Sequence, residues 1–241
     1  MRLRRPTTFA LLLTMFGVAA FIALGVWQLG RARQKEALLA RFANAAHAPV
    51  QSFADVAHDT SADAYPHVQV QGSFDPGRVY LLDNRMQGEQ LGVDVFAAFT
   101  PRNRDRVLLV DLGFLPRRAP GETLPVVPSL TSGQVALRGL YAPAPAPGLK
   151  LGGDALPRQA HWPKLVTYID LDDIAADLHR QVYPRVLLPD ADPASGYVRQ
   201  WTPDTFPPAR HRAYAFQWFT FALVAVVIFF AMHRKPSGEQ S

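Results

Sequence analysis

Two stretches of the chain are apolar without interruption, and the long segment between them is patterned. Residues 9–29 (FALLLTMFGVAAFIALGVWQL) carry no charged side chain, and neither do residues 213–232 (AYAFQWFTFALVAVVIFFAM). A helix of 21 residues at ~1.5 Å per residue matches the ~30 Å hydrocarbon core of a bilayer, so both stretches are read as transmembrane helices. A cleaved signal peptide is the competing reading of the first, because Arg2, Arg4 and Arg5 form a basic leader. Its apolar run exceeds the usual ~7–15 residues, and Trp27-Gln28-Leu29-Gly30-Arg31 stands where a small-x-small cleavage site belongs. An uncleaved anchor is the expectation.

Beyond the first span Ala37, Leu38, Leu39 and Phe42 continue a helical pattern among basic residues, which predicts that the helix runs on to about residue 43. Alternating or β-branched runs then predict strands over 67–74, 78–83, 91–100, 106–114, 135–141, 185–188 and 197–201, with a turn at Asp75-Pro76-Gly77. Pro143 to Pro147 reads as a stiff loop. Asp170, Asp172 and Asp173 open a helix predicted over 170–182, with Leu171, Ile174, Ala175 and Leu178 at helical spacing. The expected fold class is a membrane protein with two transmembrane α-helices flanking a mostly-β (α+β) extramembrane domain, read as a small antiparallel barrel.

Charge placement sharpens this. The net charge is +5, yet residues 42–209 hold 14 basic and 18 acidic side chains. The positive excess lies beside the spans, at Arg2, Arg4, Arg5, Arg31, Arg33, Lys35, Arg41, Arg210, Arg212, Arg234 and Lys235. That placement fits phospholipid headgroups and excludes nucleic acid, which needs a basic stripe on the domain itself. Basic residues flank both ends of both spans, so the positive-inside count does not orient them. Short basic tails retained inside and a long loop exported outside is the expected arrangement: cytoplasmic tails at 1–8 and 233–241, spans at 9–29 and 213–232, and a periplasmic domain at 30–212. The absence of cysteine removes disulfides, thiol catalysis and thiolate metal sites.

Candidate chemistry is sparse. No phosphate-cradling loop, nucleophile elbow or metalloprotease helix occurs, and His47, His58, His67, His161 and His179 are scattered. His58 beside Asp59 reads as a solvated turn. The denser cluster opens the second span, where ~100° per residue puts His211, Tyr214, Ala215, Trp218 and Ala222 on one helix face. A haem needs an axial nitrogen, flat apolar walls and cations for its propionates. His211, the rings of Tyr214 and Trp218, and Arg210 with Arg212 could supply them. Interfacial anchoring by Trp, Tyr and Arg explains the same residues, and on chemistry alone it is favoured. Trp27 and Gln28 near the end of the first span are expected at the depth of Gln217 and Trp218, which would permit a site shared between the helices.

The sequence resembles the Surfeit locus protein 1 family. The resemblance rests on G-V-W-Q-L-G-R-A-R-Q-K at 25–35, V-Q-V-Q-G-S-F at 68–74, L-G-V-D-V-F-A-A-F-T-P at 91–101, V-L-L-V-D-L-G-F-L-P-R at 107–117 and H-R-A-Y-A-F-Q-W-F at 211–219, in that order between two terminal spans. It implies a two-span inner-membrane protein, not an enzyme, that assists assembly of haem-copper oxidases. It also implies haem a held by His211 beside Trp218, with the oxidase catalytic subunit and the haem a synthesis machinery as partners. Where the family shows Arg-Gly-Trp or Arg-Gly-Phe, this chain has Leu112-Gly113-Phe114, so that arginine's partner contact is not carried over; the tight turn at Gly113 and Pro116 is. Two other readings stand beside the haem carrier: a cofactor-free scaffold binding the oxidase subunit, and a membrane-tethered periplasmic enzyme built on His161 with Asp170.

Overall fold

The computed structural model describes residues 5–61, 63–117, 124–146, 156–203 and 205–234. Arg2, Arg4, Lys235 and Pro147 lie outside the described residues. Two compact units are present, one made of residues 1–39 with 205–241 and the other of residues 40–204.

The second unit is a sheet that closes on itself. Its strands are β1 (Gln51–Ser52), β2 (His67–Gln87), β3 (Gln90–Pro101), β4 (Val107–Pro116), β5 (Val135–Ala142), β6 (Lys164–Val166) and β7 (Val182–Pro189). The pairings run β2–β3–β4–β7–β5 and return from β5 to β2. This is the closed sheet expected from the sequence, with one difference: β4 and β7 pair parallel, and the short β1 and β6 also run parallel to β2. The long stretch from β4 to β7, which carries β5 and a helix, gives the chain room to return parallel to β4.

The strands are apolar on both sides because both sides are covered. Val79 and Leu81 enter one buried cluster while Tyr80 and Leu82 enter another, and Leu108 and Val110 part from Leu109 in the same way. Successive side chains in a strand point to opposite faces. The first cluster is closed by Phe53 and Tyr141; the second is closed by Ile169 and Ile174. Ile174 belongs to α3 (Leu171–Leu178), for α1 is the long helix Thr8–Ala45 and α2 the single turn Phe53–Val56. Asp170 caps α3, its carboxylate accepting from the backbone N–H of Asp172 at 2.9 Å. The helix stops at Leu178, short of the predicted 182, because His179 takes the left-handed conformation and Val182 enters the ladder with β4.

Three further differences follow from tertiary pairing. Asp75-Pro76-Gly77 does not end a strand; β2 runs through it with a register shift between Phe74 and Val79. Residues 197–201 form one bridge, Phe114 with Val198, rather than a strand. Gly113 lies in an irregularity of β4, not a tight turn: Val95 faces Gly113 and Phe96 faces Asp111, which leaves Leu112 as the extra residue. Leu112 packs in the first cluster, so the extra residue places an apolar side chain in the core.

Buried charge ties the elements together. Lys164 Nζ lies 2.5 Å from Asp177 Oδ1, and the Tyr80 hydroxyl donates to the other oxygen of Asp177 at 2.9 Å. Arg185 is buried on β7, donates to the Ala64 carbonyl and stands 3.4 Å from Asp59. Asp111 is the least compensated: burial first, and then the nearby Asp94, push its carboxyl well above the ordinary range, while one oxygen accepts from Gly113 N–H. A raised folded-state pKa means the native state keeps a proton that the unfolded chain has lost. The contribution to stability is therefore present at low pH and is lost as pH rises from the unfolded pKa towards the folded one, at about 1.4 kcal/mol per pH unit inside that window. Asp111→Asn keeps an acceptor for Gly113. Melts of the detergent-solubilised protein between pH 4 and 8 are expected to show the variant gaining on the wild type as pH rises; a constant difference would show that Asp111 does not titrate in this way.

Candidate functional site

The first unit is a pair of helices, α1 and α4 (Pro208–Met232). Both are long and apolar enough to cross a membrane, and only 6% and 11% of their most apolar windows is buried within the protein. Their apolar side chains, Phe9, Phe16, Phe216 and Leu223 among them, face outward. A core helix of a soluble protein would bury them; these suit lipid. Two candidate membrane helices thus flank a mostly-β domain along the chain. Pro207 and Pro208 start α4, since a proline at the first helical position gives up no needed hydrogen bond.

The helices are antiparallel, and their side chains meet in steps. Arg212 pairs with Glu36, His211 with Gln28, and the ring of Trp218 stacks on that of Phe21 at 5.9 Å. Moving seven residues along α4, from His211 to Trp218, moves seven back along α1, from Gln28 to Phe21. This corrects the depth expected from the sequence. Gln28 is level with His211 rather than with Trp218, and Trp218 lies about two turns further along. Trp27 is 57% exposed and Gln217 is exposed as well, so neither lies in the seam between the helices.

The predicted face of α4 is the one that packs. Ala215 and Ala222 are buried, and His211 and Trp218 are half-buried beside them. Small residues at this spacing let two backbones approach closely. Gly25 on α1 completes the close approach, because a Cβ there would lie 2.6 Å from the Phe219 ring. Tyr214 sits at the edge of the seam, 46% exposed.

His211 is held from two sides. Its Nδ1 is 2.7 Å from the Gln28 carboxamide oxygen, and its ring meets Phe206 edge-on with centroids 5.0 Å apart. Phe206 also stacks on Tyr214 at 6.4 Å, and the Arg210 guanidinium lies over the Phe206 ring, 5.4 Å from its centre. The remaining ring nitrogen of His211, Nε2, is buried and has no hydrogen-bond partner. A buried polar atom without a partner costs free energy, and such an atom in a native structure calls for an explanation. Arg212 and Glu36 form a partly exposed pair worth little to stability.

Phe206 is the residue of this site that sequence reasoning missed. Its signal was faint: an aromatic side chain just ahead of the two prolines that start α4.

Elsewhere the candidate residues do structural work. Asp59 accepts from Ser61 N–H at 2.8 Å and faces Arg185; these hold its carboxyl below the usual range, the Ser61 hydrogen bonds first. His67 is buried between the Ala48 carbonyl at 3.3 Å and the Asp190 carboxylate at 3.0 Å. His179 caps α3, as Asp170 does at its other end. Among the described residues, no three His, Asp or Glu side chains converge to hold a metal ion.

The model of the SURF1 family matches residues 15–223, most of the chain and both helices of the site. No individual curated protein matches it. With the matched segment running from within α1 through the closed sheet to within α4, the chain belongs to the SURF1 family, known for cytochrome oxidase assembly factors and not in general for enzymes.

Proposed function

We propose that the chain holds haem a transiently at His211 and aids its delivery to the catalytic subunit of cytochrome c oxidase. The observation that carries this reading is the buried, unpartnered Nε2 of His211, set among aromatic rings at the head of an apolar helix. The residues present fit the group. His211 would offer an imidazole nitrogen to the iron, Phe206 and Tyr214 would offer flat apolar faces with Trp218 further along the seam, and Arg210, with Arg212 next to it in its pair with Glu36, would offer positive charge for propionates. When bound, haem a supplies the iron and the macrocycle that the oxidase requires. The chain's own part is to orient the imidazole and shield it from water; it makes and breaks no covalent bond.

Handover requires that the acceptor bind better than the carrier, since population moves only towards the tighter state. One neutral imidazole from a seam between two helices is a modest ligand set and suits release. The oxidase subunit and the haem a synthesis machinery are the corresponding partners, and the inner membrane, with both tails cytoplasmic and the β-domain periplasmic, is the corresponding location. Protease accessibility of the domain in spheroplasts tests the orientation.

The central test is spectroscopic. Purified from cells that make haem a, the wild type is expected to show a Soret band that falls at least about tenfold in His211→Ala, since losing even an outer-shell partner of a metal ligand costs about 10–100-fold. Equal haem content in the two proteins would remove His211 from the role. Normal oxidase assembly with His211→Ala would favour the cofactor-free scaffold instead.

A further inference from the structure

The contact between Gln28 and His211 decides which nitrogen of the imidazole is available. A carboxamide oxygen can only accept, so at 2.7 Å from Gln28 Oε1 the His211 Nδ1 must donate. A neutral imidazole with its proton on Nδ1 carries its lone pair on Nε2. Nε2 is the buried atom that has no partner. The two observations are independent, since one is a hydrogen bond to the opposite helix and the other is the burial of the second ring nitrogen without a hydrogen-bond partner. They agree on a single tautomer.

We infer that Gln28 is a positioning residue that fixes His211 in the Nδ1–H tautomer and so presents the Nε2 lone pair to an incoming metal centre. The inference rests on the haem reading for the identity of that centre, though not for the tautomer. Ligating histidines in metal sites commonly donate their second N–H to a carbonyl or carboxylate, which fixes the ring and tunes its basicity. Here the acceptor is a neutral amide and not a carboxylate. It orients the ring without pulling the proton from Nδ1, so the imidazole stays a moderate donor, and a moderate donor suits a carrier that must let go. At the apolar level of two packed helices little water competes for Nδ1, so the amide sets the tautomer.

The test uses the full-length protein in lipid nanodiscs, free of haem and labelled with 15N-histidine. His211 is assigned by difference from His211→Ala, at mildly alkaline pH where imidazoles are neutral. The wild type is expected to show a pyrrole-type Nδ1 and a pyridine-type Nε2. Gln28→Met, which removes the acceptor at similar volume, is expected to move His211 to a mixture of tautomers and to weaken haem a binding about tenfold or more. Gln28→Glu keeps an accepting oxygen and is expected to keep the proton on Nδ1, held more strongly than by the amide. A pyridine-type Nδ1 in the wild type, or a pattern unchanged in Gln28→Met, would overturn the inference even if haem binds at His211. The expected resonances without any haem uptake by the wild type would overturn the haem reading and leave the tautomer assignment standing.

Discussion

Gly139→Ala is expected to destabilise the β-domain by about 3 kcal/mol or more, a large fraction of the ~5–15 kcal/mol that holds a domain of ordinary stability folded. Gly139 lies in β5 with neighbours on both sides, paired to Val68 of β2 and to Pro189 of β7. A Cβ added there would lie 2.1 Å from the Leu188 carbonyl oxygen and 2.7 Å from Pro189 Cα. Both are backbone atoms and cannot rotate away. Relief would require β5 and β7 to separate, and that pairing is a link in the ring that closes the sheet. Gly25, by contrast, faces the tip of a side chain. The measurement is the folded yield and melting temperature of Gly139→Ala in detergent. A midpoint within a few degrees of the wild type would show that the closure between β5 and β7 is looser than its geometry.

Much of this fold is legible in the sequence because its strands are buried on both faces. V-L-L-V at 107–110 and V-F-A-A-F at 95–99 are apolar in nearly every position, and such runs between turn residues read as strands with little ambiguity. The two spans are equally plain, since no charge interrupts them. Closure of the sheet is harder to see. It depends on the parallel meeting of β4 with β7, residues 75 apart at Val107 and Val182, and no local pattern announces a partner at that distance. The two-residue β1 and three-residue β6 exist only because β2 offers them an edge. The end of α3 failed for a related reason: 179–182 can continue a helix by composition, and the ladder with β4 took Val182.

The site shows the same division. His211 and the packed face of α4 followed from helical periodicity within one segment. The depth of Gln28 did not, because matching aromatic and amide residues by their nearness to the ends of two spans ignores how antiparallel helices are staggered. Only the packing fixes that stagger: Gly25 against Phe219, Phe21 against Trp218, and Ala215 and Ala222 buried in the seam.

Gly25→Leu is accordingly expected to disconnect the site without touching it. Gly25 is one turn from Gln28 on the same side of α1. A Cβ at this position would already meet Phe219 Cε1 at 2.6 Å and Cζ at 2.7 Å, and leucine adds three carbons beyond it. Alanine is the milder change, since the atoms its Cβ would meet are the tip of a phenylalanine side chain, which can swing away by the ~0.8 Å that an ordinary contact requires. Leucine leaves no such room and forces the helices apart. The His211–Gln28 hydrogen bond, at 2.7 Å, is lost once the separation grows by about 0.8 Å, because contacts beyond ~3.5 Å are no longer hydrogen bonds. Gly25→Leu is therefore expected to show the mixed His211 tautomers of Gln28→Met and to bind haem a about tenfold more weakly, with the melting temperature of the β-domain unchanged. Phe219→Ala opens the space that leucine needs, so the double variant is expected to recover both the tautomer and most of the affinity. That recovery is a coupling between two side chains in contact, of the kind a double-mutant cycle isolates. If Gly25→Leu kept the wild-type resonances, the stagger of the two helices would not be what holds Gln28 against His211; if Phe219→Ala failed to rescue, the damage would come from somewhere other than the ring that Gly25 makes room for.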